Sequence, residues 1–399
     1  MKVLHLTTSI RGGAGIAAQR LASAADTFSQ TEIFSRETIE ACPKERVPGT
    51  RNRQLISKFV SAIQTPGVIS KHSLVTPLSV SFYKNISKVL KCTAWDVVHI
   101  HATYNFLRFV DIARIFEFCP KVVVTLHDER FYTGGCHYSI GCKNYYSRCK
   151  ECPQIRGPLK GLVESQHIRD LASLPSFRGR NLTITAPSSW LACSASKSSL
   201  LSSFRIEVIR NCVPNIFFES PQLATSSSNS PHKLIRLGFV SNNLNNPYKG
   251  IETLLSSYKL LRGASRRNFS LKFLGNGKLR TNEALELSSS NSDLETRVFL
   301  ESIDVLVVPS KEDNLPNVIL EALATGKIVV GSAVGGIQEI LNLFRMPTFT
   351  PGNAKELSDV LDGLHLEAYD AKNISNQARA LFGIEVIANN LREIYFHRS

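Results

Sequence analysis

Along this chain, short apolar β-rich runs alternate with helix-like runs, and the alternation starts afresh after a polar stretch. Residues 2–7 form the first run, Arg11-Gly12-Gly13-Ala14-Gly15 follows, and 16–25 is helix-like. Residues 97–101 and 122–126 are continuous β-rich runs of the kind buried in parallel sheets. Residues 182–186 and 206–209 look like two more strands, and 222–232 is a Ser/Asn/Pro-rich linker without periodicity. Beyond it come strand-like 234–240, helix-like 251–261, strand-like 271–274 before Gly275-Asn276-Gly277, and a strand over 304–308. A helix over 317–324, a strand over 328–330 and a closing amphipathic helix over 384–396 complete the array. Two such arrays predict an α/β fold of two Rossmann-like, doubly wound domains facing each other across a cleft. Their bounds are read as 1–212 and 233–383, with a linker over 213–232 and a closing helix over 384–399. Only the 277–304 region is short for its place, as if one strand-loop unit were truncated.

Charge and composition narrow the function. With 43% hydrophobic residues the chain is not intrinsically disordered, and no apolar run reaches the ~18 residues of a spanning helix. His5, Thr7 and Thr8 interrupt the opening apolar run, so it does not read as a signal peptide, and a cytoplasmic location is expected. The formal net charge is +14, and all of the excess lies in residues 1–210, with 28 Lys/Arg against 14 Asp/Glu. Between Arg46 and Trp95 there is no acidic residue, while Arg46, Arg51, Arg53, Lys58, Lys71, Lys84, Lys88 and Lys91 are basic. Within this stretch Leu55, Ile56, Phe59, Val60 and Ile63 recur at helix-like spacing. Such a segment could lie on an anionic membrane surface, at the inner face of the cytoplasmic membrane, or merely be a solvated face. No recognisable module interleaves aromatic and basic residues, so nucleic acid is not an expected partner.

In such folds ligands sit at the carboxyl ends of strands, and one of those ends is distinctive. Residues 309–326 read Pro-Ser-Lys-Glu-Asp-Asn-Leu-Pro-Asn-Val-Ile-Leu-Glu-Ala-Leu-Ala-Thr-Gly. Asn314 can cap a helix, Pro316 suits its first turn and Gly326 its end. A helix start of this kind attracts an anion such as a diphosphate. The bland reading is a capped helix with a solvated glutamate. The segment resembles the donor-binding signature of the family-four (group 1) glycosyltransferases, in the branch with the Asp-Asn-Leu-Pro-Asn variant.

That resemblance implies the two-domain GT-B fold and a retaining transfer of a sugar from a nucleotide-diphosphate sugar to a polysaccharide or lipid-linked glycan acceptor. It needs no divalent ion or other cofactor for catalysis. The family's two acids have seven residues between them, as Asp313 and Glu321 have here, with Glu312 the alternative for the first. The resemblance implies that Glu321 holds the donor ribose, that Asp313 contacts the sugar, and that Asn314, Leu315, Pro316 and Asn317 line the donor. Lys249-Gly250 resembles the family's phosphate-binding lysine and helix opening, although the usual arginine near Ser241 and Asn242 is missing. Gly13 and Gly15 resemble its first glycine loop, which approaches donor phosphates or acceptor. His127, at a strand end in Thr125-Leu126-His127-Asp128, takes the place of its active-site histidine, with His101 as second choice.

Of nine cysteines, Cys136, Cys142, Cys149 and Cys152 cluster within 17 residues. Four thiolates there could form a tetrahedral structural zinc site, or remain reduced thiols in an irregular insertion over about 133–155. The segment resembles a Cys-rich insertion in one branch of the same transferases. An epimerase of nucleotide sugars on this architecture, or a basic nucleic-acid-binding protein without catalysis, remain the rival readings.

Overall fold

The computed structural model describes residues 1–41, 75–76, 81–155, 157–219, 234–265, 267–277, 286–288 and 292–397. The basic positions Arg46, Arg51, Arg53, Lys58 and Lys71, the apolar series from Leu55 to Ile63 and the linker 222–232 lie outside those residues. The chain forms two compact units, residues 1–210 with 387–399, and residues 211–386.

The first unit is built on six parallel strands: β1 (Lys2–Thr7), β2 (Gln30–Ser35), β3 (Val97–Ile100), β4 (Lys121–Thr125), β5 (Asn181–Ala186) and β6 (Ile206–Val208). Their order is β2-β1-β3-β4-β5-β6. Central β3 and β4 are buried at every position, which is why their sequences are runs rather than alternations. The order reverses direction between β1 and β3, the switch point beside which α/β sheets open a crevice for ligands. The glycine run expected in the loop after β1 lies in the first turns of the helix Gly12–Asp26 instead. Gly15 must be glycine because a Cβ would stand 2.4 Å from the carbonyl carbon of Ile10, so the helix lies directly on the preceding loop. A Cβ on Gly13 would meet nothing within 4 Å.

The second unit repeats the plan with β7 (Leu234–Asn243), β8 (Asn268–Asn276), β9 (Glu286–Ser288), β10 (Val305–Val308), β11 (Ile328–Ser332) and β12 (Thr348–Phe349). Their order is β12-β11-β10-β7-β8-β9, and its switch point lies between β10 and β7. The 277–304 region, expected to be a unit short, supplies both β9 and the helix Asp293–Glu301. Residues 213–219, read as linker, begin this unit: Val213 donates to Phe382 O at 2.9 Å, and a 3-10 turn spans Asn215–Phe218. The last helix, Ile384–Phe396, passes from the second unit into the first at residue 387. Among the described residues no helix is long and apolar enough to cross a membrane.

Candidate functional site

In the second unit, two loops at the switch point are laced together by main chain. After β7, the side chain of Asn246 accepts from Tyr248 N–H at 3.0 Å and turns Pro247–Lys249 into a 3-10 turn. Gly250 follows with φ of 72°, and a Cβ there would fall 1.8 Å from Pro309 O, so only glycine lets this turn press against the loop after β10. Lys311 N–H donates to Tyr248 O at 2.7 Å across the same seam.

The lacing delivers Lys249 to Asp313: Nζ stands 2.5 Å from Oδ2, and Ser310 Oγ donates to that oxygen at 3.4 Å. Asp313, Asn314 and Glu321 are all buried, at 6–7% exposure, which is unusual for such side chains. Glu312 is half-buried and its charge bears on the Tyr248 phenol, which burial and Glu312 together push up.

The helix of this loop is Asn317–Ala324, with Pro316 at its N-cap and no capping side chain. The expected cap, Asn314, thus lies three residues ahead of the first helical residue, because Pro316 already fixes the backbone of the entry. At the other end Gly326 has φ of 74°, with Gly326 N donating to Leu323 O at 3.0 Å and Lys327 N to Ala322 O at 2.8 Å, a Schellman closure. Leu315 packs into the core of this unit, and Pro316 and Asn317 are half-buried. Asn317 Oδ1 accepts from Asn211 Nδ2 at 2.8 Å. Glu321 lies one turn inside the helix. The arrangement is a partly screened cation, two buried carboxylates and the positive end of a helix, together suited to a phosphate ester that carries hydroxyls.

In the first unit, His101 and His127 follow the ends of β3 and β4 and stand Nδ1 to Nε2 at 3.1 Å. They line a small hollow with Tyr104, Asp128 and Arg130. Burial lowers His127 to about 4, opposed by the Asp128 charge. Burial would push the Asp128 carboxyl up, but the Arg130 guanidinium and His137, with Nδ1 at 2.9 Å, hold it well below the usual carboxylate range. Arg130 also stacks 4.6 Å from the Tyr104 ring centroid. This hollow therefore presents an uncharged imidazole beside a fixed carboxylate and guanidinium.

Sequence reasoning found His127 and His101 but passed over His5, His99 as a partner, and Tyr395. His5 Nδ1 lies 2.9 Å from His101 Nε2, and Tyr395 Oη lies 2.7 Å from His99 Nδ1. The available signal was the pair His99 and His101, two apart at one strand end and hence on one face. Among the described residues, His5, His99 and His101 are the trio of possible metal ligands whose atoms lie within 4.8 Å of one another.

The cysteine loop is irregular, with left-handed backbone at Gly135, Ile140, Gly141, Cys149 and Glu151. Cys136, Cys149 and Cys152 are buried, Cys142 is half-buried, and all four are free thiols. Gly134 N–H donates to Cys149 Sγ at 3.3 Å, yet burial pushes that thiol up to about 12. A hydrogen bond from Cys136, with the N–H groups of Gln154 and Ile155, brings Cys152 down to about 6. Backbone amides aimed at sulfur suit thiolate ligands, although these sulfurs are not gathered as closely as the histidine trio.

Comparison with known proteins agrees with this layout. Residues 235–365, all within the second unit, match the family described as Glycosyl transferases group 1. A protein of Escherichia coli K12, WcaC, whose name assigns it to colanic acid biosynthesis as a glycosyl transferase, is 22% identical over 279 residues. That match covers 65% of each chain, so this chain spans just under two thirds of the relative's length. Among solved structures, a sucrose-phosphate synthase of Thermosynechococcus elongatus superposes with a TM-score of 0.65 at 16% identity, over 99% of this chain and 98% of the other. HepE of Anabaena, in complex with UDP-glucose, gives 0.62 at 16% identity over 98% of both chains. The fold is the one these glycosyltransferase structures share, GT-B, with two parallel-sheet α/β domains.

Proposed function

We propose that this chain is a retaining glycosyltransferase that moves a sugar from a nucleotide-diphosphate sugar to a polysaccharide or lipid-linked glycan acceptor. The observation that carries the reading is the Lys249–Asp313 pair at the switch point of the second sheet, one turn of loop away from the start of the helix that holds Glu321. On this reading Lys249 and the N–H groups at Asn317 and Val318 meet the negative charge that grows on the departing diphosphate. Asp313, which shares its carboxylate with Lys249, turns to a sugar hydroxyl when phosphate takes the lysine. Glu321 accepts from the ribose hydroxyls. The uncharged His127 donates to, or accepts from, a hydroxyl of the transferred sugar, a task that needs imidazole rather than imidazolium. HepE holds UDP-glucose, which supports a nucleotide sugar as the ligand class.

The test is a transfer assay on Lys249→Met and Glu321→Gln after a thermal-shift panel of nucleotide sugars has identified a donor. Each variant should lose about 10²–10³ in turnover while unfolding at the temperature of the parent. Unchanged turnover in both would remove the donor-site assignment.

A further inference from the structure

Four histidines of the first unit, three of them buried and His127 half-buried, form one continuous hydrogen-bond chain. Starting from the hollow, His127 Nε2 meets His101 Nδ1 at 3.1 Å, and His101 Nε2 meets His5 Nδ1 at 2.9 Å. His5 Nε2 faces Tyr395 Oη at 3.4 Å, and Tyr395 Oη faces His99 Nδ1 at 2.7 Å. His99 Nε2 then meets Thr125 Oγ1 at 2.6 Å, and Thr125 meets Thr185 Oγ1 at 2.6 Å. The three inner rings are at most 3% exposed. A metal ion is not what this trio is arranged for. Both nitrogens of His99 are taken by Tyr395 and Thr125, and one nitrogen of His5 points at one of His101 rather than beside it.

Proton counting restricts this chain severely. Burial lowers His5 to about 3, and burial together with the neighbouring rings lowers His99 and His101 well below their ordinary value. None of the rings is charged near neutral pH, so each carries one N–H and one lone pair. The Tyr395 phenol, pushed well above its ordinary range by burial, also keeps its single proton. Every contact needs one donor and one acceptor, because two lone pairs or two N–H groups facing each other in a dry interior would leave a polar group unsatisfied. Tyr395 Oη could accept from both His99 and His5, but its own buried O–H would then lack an acceptor, so only two arrangements satisfy every group. In one, every ring has its proton on Nδ1: His99 donates to Tyr395, Tyr395 to His5, His5 to His101, and His101 to His127. In the other, every ring has it on Nε2, and every bond runs the opposite way, ending on Thr125 and Thr185.

We propose that His5, His99, His101 and His127 share one common tautomer, and that Tyr395, His5 and His101 are positioning residues that decide which nitrogen of His127 carries its proton. The chain thereby presents His127 as an Nδ1–H donor or as an Nδ1 lone pair, according to its direction. Its value for catalysis rests on the reading of His127 as a sugar-hydroxyl contact, whereas the shared tautomer does not.

The experiment is long-range ¹H–¹⁵N NMR of the full chain labelled at histidine, at pH 7 and without substrate, with rings assigned by single His→Gln substitutions. In the parent protein the four rings should show the same ratio of Nδ1–H to Nε2–H. Differing ratios at adjacent rings of the parent would overturn the proposal. Tyr395→Phe removes one oxygen and keeps the packing. A buried N–H without a partner is worse than a lone pair without one, so His5 should then hold its proton on Nδ1 for His101. His101 and His127 should follow it, while His99 turns to Nε2–H for Thr125. The ratio at His99 should thus part from that of the other three by roughly tenfold or more. Four ratios still equal in Tyr395→Phe would equally overturn the chain. A shared tautomer in an enzyme whose His127→Gln variant keeps full turnover would uphold the chain and dismiss only the catalytic role.

Discussion

Acid should unfold the first unit by a route that can be worked from these rings. Each histidine lowered by burial binds its proton more readily in the unfolded chain, where its value is near 6.5. Its stabilising contribution is therefore complete above that value and is lost as pH falls toward the folded value, at about 1.4 kcal/mol per pH unit and per ring. For His5, lowered to about 3, the fall from pH 7 to pH 5 removes about 1.9 kcal/mol. His127, lowered to about 4 but half-buried, removes at most about the same. His99 and His101 shift in the same direction and add to the loss.

One group opposes them. Burial pushes Asp170 up to about 6, so in the same interval the folded state takes up a proton first and regains about 1.3 kcal/mol. Asp128 is held down and matters only below about pH 4, outside this interval. The net loss should exceed about 2 kcal/mol, a large part of a domain's ~5–15 kcal/mol. Both tryptophans of the chain, Trp95 and Trp190, belong to the first unit, so urea unfolding followed by tryptophan fluorescence at a series of pH values reports on it alone. His5→Asn should be less stable at pH 7 yet show a slope shallower by about 1.4 kcal/mol per pH unit. A parent slope below that of one proton between pH 6 and pH 5 would refute the account of these rings as buried and uncharged.

Other consequences are simpler to check. Gly250→Ala must move either its own turn or Pro309, so it should lower thermal stability by about 2 kcal/mol or more and weaken nucleotide-sugar binding, whereas Gly13→Ala, with open space around it, should leave stability nearly unchanged. Elemental analysis of purified protein should find about one equivalent of zinc, drawn into Zn–S contacts of about 2.3 Å by Cys136, Cys142, Cys149 and Cys152; no metal and four thiols titratable in the native state would leave them reduced. If the basic 46–95 stretch holds the chain on a membrane, co-sedimentation should favour anionic over neutral vesicles and fall in high salt, and equal recovery on both would make the stretch a solvated face.

Much of the fold was legible because its central strands announce themselves. The strands Val97–Ile100 and Lys121–Thr125 in the first unit, and Val305–Val308 in the second, are buried at every position, and such β-rich runs occur where helices cover both sides of a sheet. The strands that escaped notice are peripheral or short. β2 alternates exposed and covered positions, β9 has three residues, and β12 has two, too few for any period to register. The start of the first helix, expected at Ile16, comes one turn earlier at Gly12 for a related reason. Gly12 and Gly15 look like loop residues by composition, but their role is to let the first helix begin almost against the strand end.

The donor loop could be read because its chemistry is local, with Asp313, Pro316, Glu321 and Gly326 confined to a strand end and one helix. Its connection to Lys249 is a different matter, 64 residues away and invisible until Gly250 is seen pressed on Pro309. The histidine chain lies further still from the reach of spacing arguments. His5 and His99 are neighbours only because β1 and β3 pair in parallel with those two residues in register, and His101 joins them by pointing to the same face two residues on. A shift of that register by one residue would turn His5 to the opposite face and break the chain while leaving both strands just as apolar. The sequence carries no local mark of such a register, since in a parallel pair it is set by the packing of helices on both sides. Tyr395 arrives from the end of the chain, on a helix whose amphipathic pattern was plain, and whose partner among the strands was not. What local patterns can convey is which side chains are inside; which polar ones then meet there depends on register, and the buried His5, His99 and His101 are tolerable only in a register that lets each answer the next.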